Sequence, residues 1–362
     1  MGIRQQRGAA LIIVLLLFAV LVALSVEVLY RQDHFRTRTS NLLGWDQRYQ
    51  HAIAAETLAI QALIDDLEDD QDNNELIDDC IHEEWAITLP PSPVENVFLS
   101  ASVQDLQARF NLNSLVSENN GEYILNPPMR QALEQLLAAT LPEPSVASAL
   151  SMEMADWIDS NNLVDEANGA EDAEYRDRRT PNIPIPHESE MRALRSFTLA
   201  QTGAEPFWGF YTALPEMTPV NVNTAPEPVL DALFQFGPGN AASRAIIEQR
   251  EQAAFADIGE VLALAPLASL SQDDRDRLTN ILDVRSSFFQ VMIDVRSEEG
   301  ISRLVTRIRR LNDGPTEVFS RQLVPVMGPL EPACNPLYNS ATETPAANGE
   351  NSADTLGNPA AP

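Results

Sequence analysis

The chain has 362 residues, 44% hydrophobic and 21% charged, enough to bury a core in one elaborated domain or in two. Its formal net charge is −29, and all 24 basic residues are arginine. Without lysine there is no Walker-type phosphate lysine, Schiff-base lysine or kinase lysine, and so acidic a surface repels nucleic acid and anionic lipid.

The chain opens MGIRQQRGAALIIVLLLFAVLVALSVEVLYRQ, and from Ala9 to Val26 no residue is charged and only Ser25 is polar. That run just reaches the ~18 residues that mark a membrane-spanning helix. Three readings follow. A secretory signal has a shorter apolar core and a small-x-small cleavage site, for which only Ala23-Leu24-Ser25 is available. A plain N-terminal anchor is the second. In the third, cleavage falls after Gly8 and the apolar segment stays in the mature chain, which the sequence after Tyr30 favours. Charge sets no orientation, since Arg4 and Arg7 precede the span and Arg31, Arg36 and Arg38 follow it.

No proline occurs before Pro90, and Gly44 is the only glycine between Gly8 and Gly121. Leu42, Trp45, Tyr49, Ile53, Ile60, Leu63/Ile64 and Leu67 recur at helical steps. One helix is therefore predicted from Ala9 to Leu67, about 85–90 Å long at 1.5 Å per residue, apolar all round at first and one-sided later. Asp65–Glu84 carries eleven acids and no arginine. It lacks EF-hand spacing and reads as a solvated acidic loop.

Asn96–Leu106 alternates as a strand, and ARFNLNSLV continues it after a turn. MRQALEQLLAATL and VASALSMEMADWI have helical spacing, and DSNNLVDEANGAEDAEYRDRRTPNIPIP reads as a long surface loop. ESEMRALRSF is another helical segment. PVNVNTAPEPVLDALFQFGPGNAASRAIIEQREQAAFADIGEVLAL follows as a compact helical unit, its first helix capped by Asn223 or Thr224, an FGPG hairpin next, and a third helix starting near Asp257. SSFFQVMIDVRSE, ISRLVTRIRRL and TEVFSRQLVPV are strands, the first two joined at Glu298–Gly300. From Pro329 the chain lacks periodicity and reads as a disordered tail.

The histidines, His34, His51, His82 and His187, are scattered, and HExxH, CxxC and GxSxG are absent, so metal-hydrolase and serine-hydrolase chemistry has no motif to rest on. Cys80 and Cys334 allow one long-range disulfide or two separate thiols. Strands separated by a helical block most simply form one sheet interrupted by an insertion, an α+β body packed on the second half of the long helix.

A basic leader ending in glycine, an apolar helix that continues amphipathically and an antiparallel sheet downstream resemble type IV pilins and pseudopilins. LIDDCIHEEWAITLPPSPVENVFLSASVQDLQARFNLNSLV, ADWIDSNNLVDEANGAEDAEYRDR and PVNVNTAPEPVLDALF resemble the minor pseudopilin K family of type II secretion systems, over about residues 1–325. The resemblance implies a leader (1–8), a transmembrane or fibre helix (9–29), a pilin-like helix with first strands (30–110), an inserted α-helical domain (111–285) holding a SAM-like or helix-hairpin-helix unit (about 218–285), C-terminal strands (286–328) and the tail (329–362).

It further implies that prepilin peptidase cuts after Gly8 and methylates Ala9, leaving a single-pass inner-membrane protein whose bulk is periplasmic. Most pilin-like proteins carry glutamate at the fifth mature position, proposed to pair with a neighbour's terminal amine. Here that position is Ile13. A buried, unpaired carboxylate is costly, so a subunit with no neighbour above it needs none, and the family's place at the fibre tip, initiating assembly and supporting protein export across the outer membrane, agrees with Ile13. Family structures bind calcium, for which Asp156, Asp159, Asn161, Glu171 and Asp172 are the candidate ligands. Other minor pseudopilins are the implied partners, through N-terminal helices offering Leu11, Val14, Leu15, Phe18, Leu21 and Val22.

Rival readings are a minor pilin of a type IV pilus, an anchored periplasmic enzyme and a DNA-binding helix-hairpin-helix. The enzyme would need a nucleophile, base or tuned acid pair, and nothing places two carboxylates together. For DNA, Glu227, Asp231, Glu248, Glu251, Asp257 and Glu260 outnumber Arg244 and Arg250, and a hairpin with Gly237 and Gly239 has too few cations for phosphate.

Overall fold

The computed structural model describes residues 7–74, 76–80, 83–164, 167–198, 207–234, 239–311 and 314–330. They fall into two compact units, one of residues 7–106 and 285–330 and one of residues 107–284. The second is thus inserted into the sequence of the first.

Helix α1 runs unbroken from Arg7 to Asn73. It outlasts the predicted end at Leu67 and takes in the first part of the acidic stretch, which contains neither proline nor glycine. Asn74 stops it by adopting a left-handed conformation (φ 56°), a helix-ending role that asparagine tolerates. After a 3-10 turn at Glu84–Ala86 come β1 (Leu89–Val94) and β2 (Val97–Asp105). β1 escapes sequence pattern because it is LPPSPV. Proline cannot donate to a ladder, so it survives only on an edge, where β1 lies.

The chain then enters the second unit. β3 (Phe110–Asn111), β4 (Val116–Asn119) and β5 (Glu122–Leu125) lead into α2 (Pro127–Thr140) and α3 (Ala147–Ile158). The predicted continuation of β2 through ARFNLNSLV is not found. Phe110–Asn111 instead pairs in parallel with β6 (Tyr211–Thr212), and Leu112–Leu115 is a 3-10 turn. β4 and β5 form an unpredicted hairpin about Asn120-Gly121, both at positive φ as a two-residue turn requires. The loop from Asp159 to Pro186 carries no helix or strand among its described residues, and Glu188–Ala193 is a 3-10 turn rather than an α-helix. β7 (Val220–Asn221), α4 (Glu227–Leu233), α5 (Asn240–Arg250), α6 (Ile258–Ala263), α7 (Gln272–Ile281) and β8 (Leu282–Asp283) complete the unit, with β7 parallel to β8.

Back in the first unit, β9 (Phe288–Ser297), β10 (Gly300–Arg309) and β11 (Glu317–Val324) finish an antiparallel sheet of order β1-β2-β9-β10-β11. The β9–β10 turn falls at Glu298–Gly300 as the sequence predicts. The second half of α1 lies on this sheet. Ala52, Ala55 and Leu63, with Tyr49, Ile53 and Ile60, pack against Val97, Leu99, Val103, Phe289, Val291, Ile293, Val295, Leu304 and Ile308. Leu42 and Trp45, at the start of the predicted stripe, are exposed.

The acidic stretch is not a solvated loop. Asp78 and Asp79 are buried, and Arg310, 232 residues further along the chain, bonds Asp78. Cys80 is disulfide-bonded. Cys334 and the predicted tail from residue 331 onward lie outside the described residues, as do residues 1–6 of the leader.

Candidate functional site

Two features of the sequence point to function, the N-terminal half of α1 and the acidic loop after α3. Along α1 every large apolar side chain from Leu11 to Leu43 is exposed, with Ile13 at 58% and Phe18 at 64%. The run has a mean hydropathy of 3.0 and is long enough to cross a membrane. Leu11, Val14, Leu15, Phe18, Leu21 and Val22 are all in this set. Gly8 and Ala9 lie in the first turn of the helix. Ser25 spends its hydroxyl on Leu21 O (2.8 Å), so the run presents no free polar side chain. Among the described residues the first ion pair is Arg31 with Glu27, one turn apart, where the apolar run ends.

The acidic loop collects carboxylates without joining the predicted ligands into one set. Asp156, Asp159 and Glu171 are buried, Asp172 is half-buried and Asn161 is exposed. Asp159 accepts from the Asn161 backbone N–H (3.3 Å) and Nδ2 (2.9 Å), and Asn161 Oδ1 accepts from Leu163 N–H (2.6 Å). Glu171 and Asp172 meet at Thr180, whose hydroxyl donates to both (2.8 and 3.2 Å) and whose N–H donates to Asp172 (2.9 Å). Asp156 presses against Gly169, where an added Cβ would sit 2.0 Å from Oδ2, so only glycine fits. Among the described residues no three His, Cys, Asp or Glu side chains are set as a metal cluster. Asp165 and Glu166 of this loop lie outside the described residues. The loop is rich in the oxygen donors calcium takes, but it also carries Arg176, Arg178 and Arg179, and Arg179 lies 3.8 Å from Asp172.

Sequence reading missed what the Asn-Leu-Asn and Asn-Val-Asn-Thr-Ala stretches do. Asn113 donates to Ile185 O (2.9 Å) and Leu214 O (2.8 Å) and accepts from Ile185 N–H (2.9 Å). Asn223 does the same in the other half of the unit, donating to Phe255 O (3.1 Å) and Val284 O (3.3 Å) and accepting from Phe255 N–H (2.9 Å). In each motif the first asparagine, Asn111 or Asn221, accepts from the backbone N–H of the second. These amides satisfy buried backbone where the chain doubles back. Asn223 is therefore no helix cap. Pro226 holds that position, without a side-chain hydrogen bond. The spacing of two asparagines before a helix was the available signal.

Among the described residues, the two arginines beside the hairpin are both engaged. Arg250 is buried, donating to Val222 O and Ala225 O (both 2.7 Å), and burial pulls its pKa down to about 10. Arg244 faces Glu227 at 3.8 Å. Gly239 starts α5 at positive φ, and Gly237 lies outside the described residues.

A helix apolar at one end and packed on an antiparallel sheet at the other, with a helical insertion between the second and third strands of that sheet, defines a pilin-like subunit. Two family models described as type II secretion system (T2SS), protein K, match residues 108–204 and 220–285. The chain is 30% identical over 327 residues to type II secretion system protein K of Pseudomonas aeruginosa, covering 88% of this chain and 93% of that one. It is 29% identical to that of Aeromonas hydrophila, covering 86% and 98%. Its fold matches a chain in the GspK-GspI-GspJ complex of enterotoxigenic Escherichia coli with a TM-score of 0.69 at 24% identity, over 80% of this chain and all of that one. The chain belongs to the type II secretion system protein K family, and its role is that of a minor pseudopilin in type II secretion. That family is a structural component of the secretion apparatus.

Proposed function

We propose that this minor pseudopilin occupies the tip of the pseudopilus, where it initiates assembly and supports export across the outer membrane. The observation that carries the reading is the apolar half of α1, uncharged from Ala9 to Val26 with Ile13 at the fifth position after Gly8, and exposed along its length in the isolated chain. Such a surface is stable only in lipid or against other apolar helices. Its partners are other minor pseudopilins, as GspI and GspJ are in the related complex, docked through Leu11, Val14, Leu15, Phe18, Leu21 and Val22. In this reading prepilin peptidase cleaves after Gly8 and methylates Ala9. The subunit starts as a single-pass protein of the inner membrane with its bulk in the periplasm, and it has no catalytic role. Calcium binding on the acidic loop, with Asp156, Asp159 and Glu171 as the buried donors and Asn161 and Asp172 beside them, belongs to the same proposal.

Intact N-terminal mass, measured with and without the host's prepilin peptidase, tests it. Loss of residues 1–8 with a methylated Ala9, only when the peptidase is present, is the expected result. An uncut chain in both cases would leave a plain anchor, and cleavage after Ser25 an ordinary exported protein. For the metal, the melting temperature of the full chain should rise with added calcium and fall back with a chelator, and Asp156→Asn should abolish the rise.

A further inference from the structure

We propose that the recess between α2, α4 and α7 binds an extended peptide segment of a partner protein by taking up one aromatic side chain of it. The inference stands on the second unit alone and is independent of where the subunit sits in the secretion apparatus.

The recess follows from what the three helices bring to it. α2 presents Met129 and Ala132 one turn apart, and the end of α4 presents Leu233 and Phe234. All four are buried, so the floor belongs to the core of the unit. α7 reads QDDRDRLTNI, and its only apolar side chains are Leu278 and Ile281. Three residues apart, they share one helix face and form the third wall. Two side chains set against the small Ala132 leave about 190 Å³ unfilled. Close-packed interiors leave few voids wider than a water molecule, so the helices by themselves do not complete this packing. An occupant that covers the apolar walls gains the free energy of taking them out of water.

Size and rim select that occupant. A dry cavity of about 150 Å³ holds benzene, so this recess holds one phenyl or phenol ring. An amphipathic helix docks through several anchors spaced a turn apart and needs a groove. A single ring in a pocket is the anchor of an extended segment. At the mouth stand Asn126, just before α2, and Asn280, near the end of α7. Asn126 holds the N-cap position of α2 without a capping bond, so its amide is not spent on the helix. Each of these amides carries both donor and acceptor, which the peptide groups on either side of a buried ring require. Asp274, also at the mouth, is engaged by the Ser271 hydroxyl, which donates to its Oδ2 (2.6 Å). Arg277 is exposed and lies 3.6 Å from the other oxygen of Asp274, beyond hydrogen-bond distance. Its guanidinium is thus left to lie over the face of a bound ring.

Photo-crosslinking tests this on the full chain in lipid nanodiscs, which leave no free detergent to fill the recess. The probe is acetyl-Ser-Gly-Phe-Gly-Ser-amide with a diazirine on the phenyl ring, and its adducts are mapped by mass spectrometry. Adducts should fall on residues 126–132 and 270–281. The unlabelled peptide should suppress them, and the same peptide with alanine in place of phenylalanine should not. Ala132→Phe, which fills the recess from α2, should abolish them. Asn280→Ala, at an exposed position that leaves the fold intact, should raise the half-competing concentration about threefold or more, the loss of one hydrogen bond. No adducts in the recess, or adducts there that the alanine peptide suppresses equally, would overturn the proposal. So would benzyl alcohol competing as well as the peptide and losing nothing in Asn280→Ala, which would make the recess a site for free aromatic molecules.

Discussion

The two halves of α1 share one helical geometry and meet different surroundings. Between Leu11 and Val26 the large side chains are apolar and uncovered, and between Tyr49 and Asp66 the helix turns small apolar residues and a few charges onto the sheet. Alanine at positions 52, 55 and 59 lets the backbone approach β9 and β10 closely, while Leu63 fills the gap near the end. The two buried charged residues of this half, Arg48 and Glu56, are paired. Arg48 reaches Ser297 and Ser302 (both 3.0 Å) at the β9–β10 turn, and Glu56 meets Thr306 and Arg321. The lesson is that one half encodes a fold and the other an assembly, so substitutions should separate stability from association.

Leu63→Ala should cost the most stability, since Leu63 is fully buried in the core and such truncations cost about 2–5 kcal/mol. Denaturant unfolding of the full chain in detergent should show it as an earlier midpoint with an unchanged slope. Glu56→Gln comes next. Glu56 is 3% exposed and takes two bonds from Arg321, at 2.8 and 2.5 Å. Breaking a buried pair by removing one charge costs about 3–5 kcal/mol, but the Arg321 side chain is 40% exposed and regains water, which brings the expected loss to about 2 kcal/mol. Arg321→Gln should cost more than Glu56→Gln, because it strands the buried member of the pair. The reverse order would mean that the pair contributes through Thr306 instead. Leu42→Ala, at an exposed position of the same helix, should stay within about 0.5 kcal/mol of wild type.

Much of this was legible in the sequence, and the gaps have physical causes. The absence of proline, with Gly44 the one glycine past the leader, gave the long helix, and alternation gave β2 and the three C-terminal strands. The apolar stripe begins about two turns before the sheet covers it, at Leu42 and Trp45, because periodicity shows which face is apolar and not where the sheet begins. β1 was hidden by its prolines. The acidic stretch looked solvated because Arg310, which neutralises Asp66 and Asp78, is remote in sequence. At the acidic loop the sequence showed the right residue types, while their separation into Asp159 with Asn161 and Glu171 with Asp172 follows from backbone turns that composition does not encode.

The smallest expected effect on folding comes at Ile13, and there the two halves of α1 separate most clearly. Ile13 is 58% exposed and touches neither the sheet nor its core. Ile13→Glu should therefore leave the unfolding midpoint of the full chain within about 0.5 kcal/mol of wild type. In the assembly the outcome depends on position. At the tip, the new carboxylate has no terminal amine above it, and an acidic residue near the end of an apolar span costs less than the ~3 kcal/mol it costs at the centre, so co-purification with the other minor pseudopilins should fall by about tenfold. A subunit placed within the fibre would instead offer the glutamate that its neighbour's amine can pair with, and co-purification would hold or improve. Equal recovery of variant and wild type would thus count against the tip, while a loss of assembly at unchanged stability would support it.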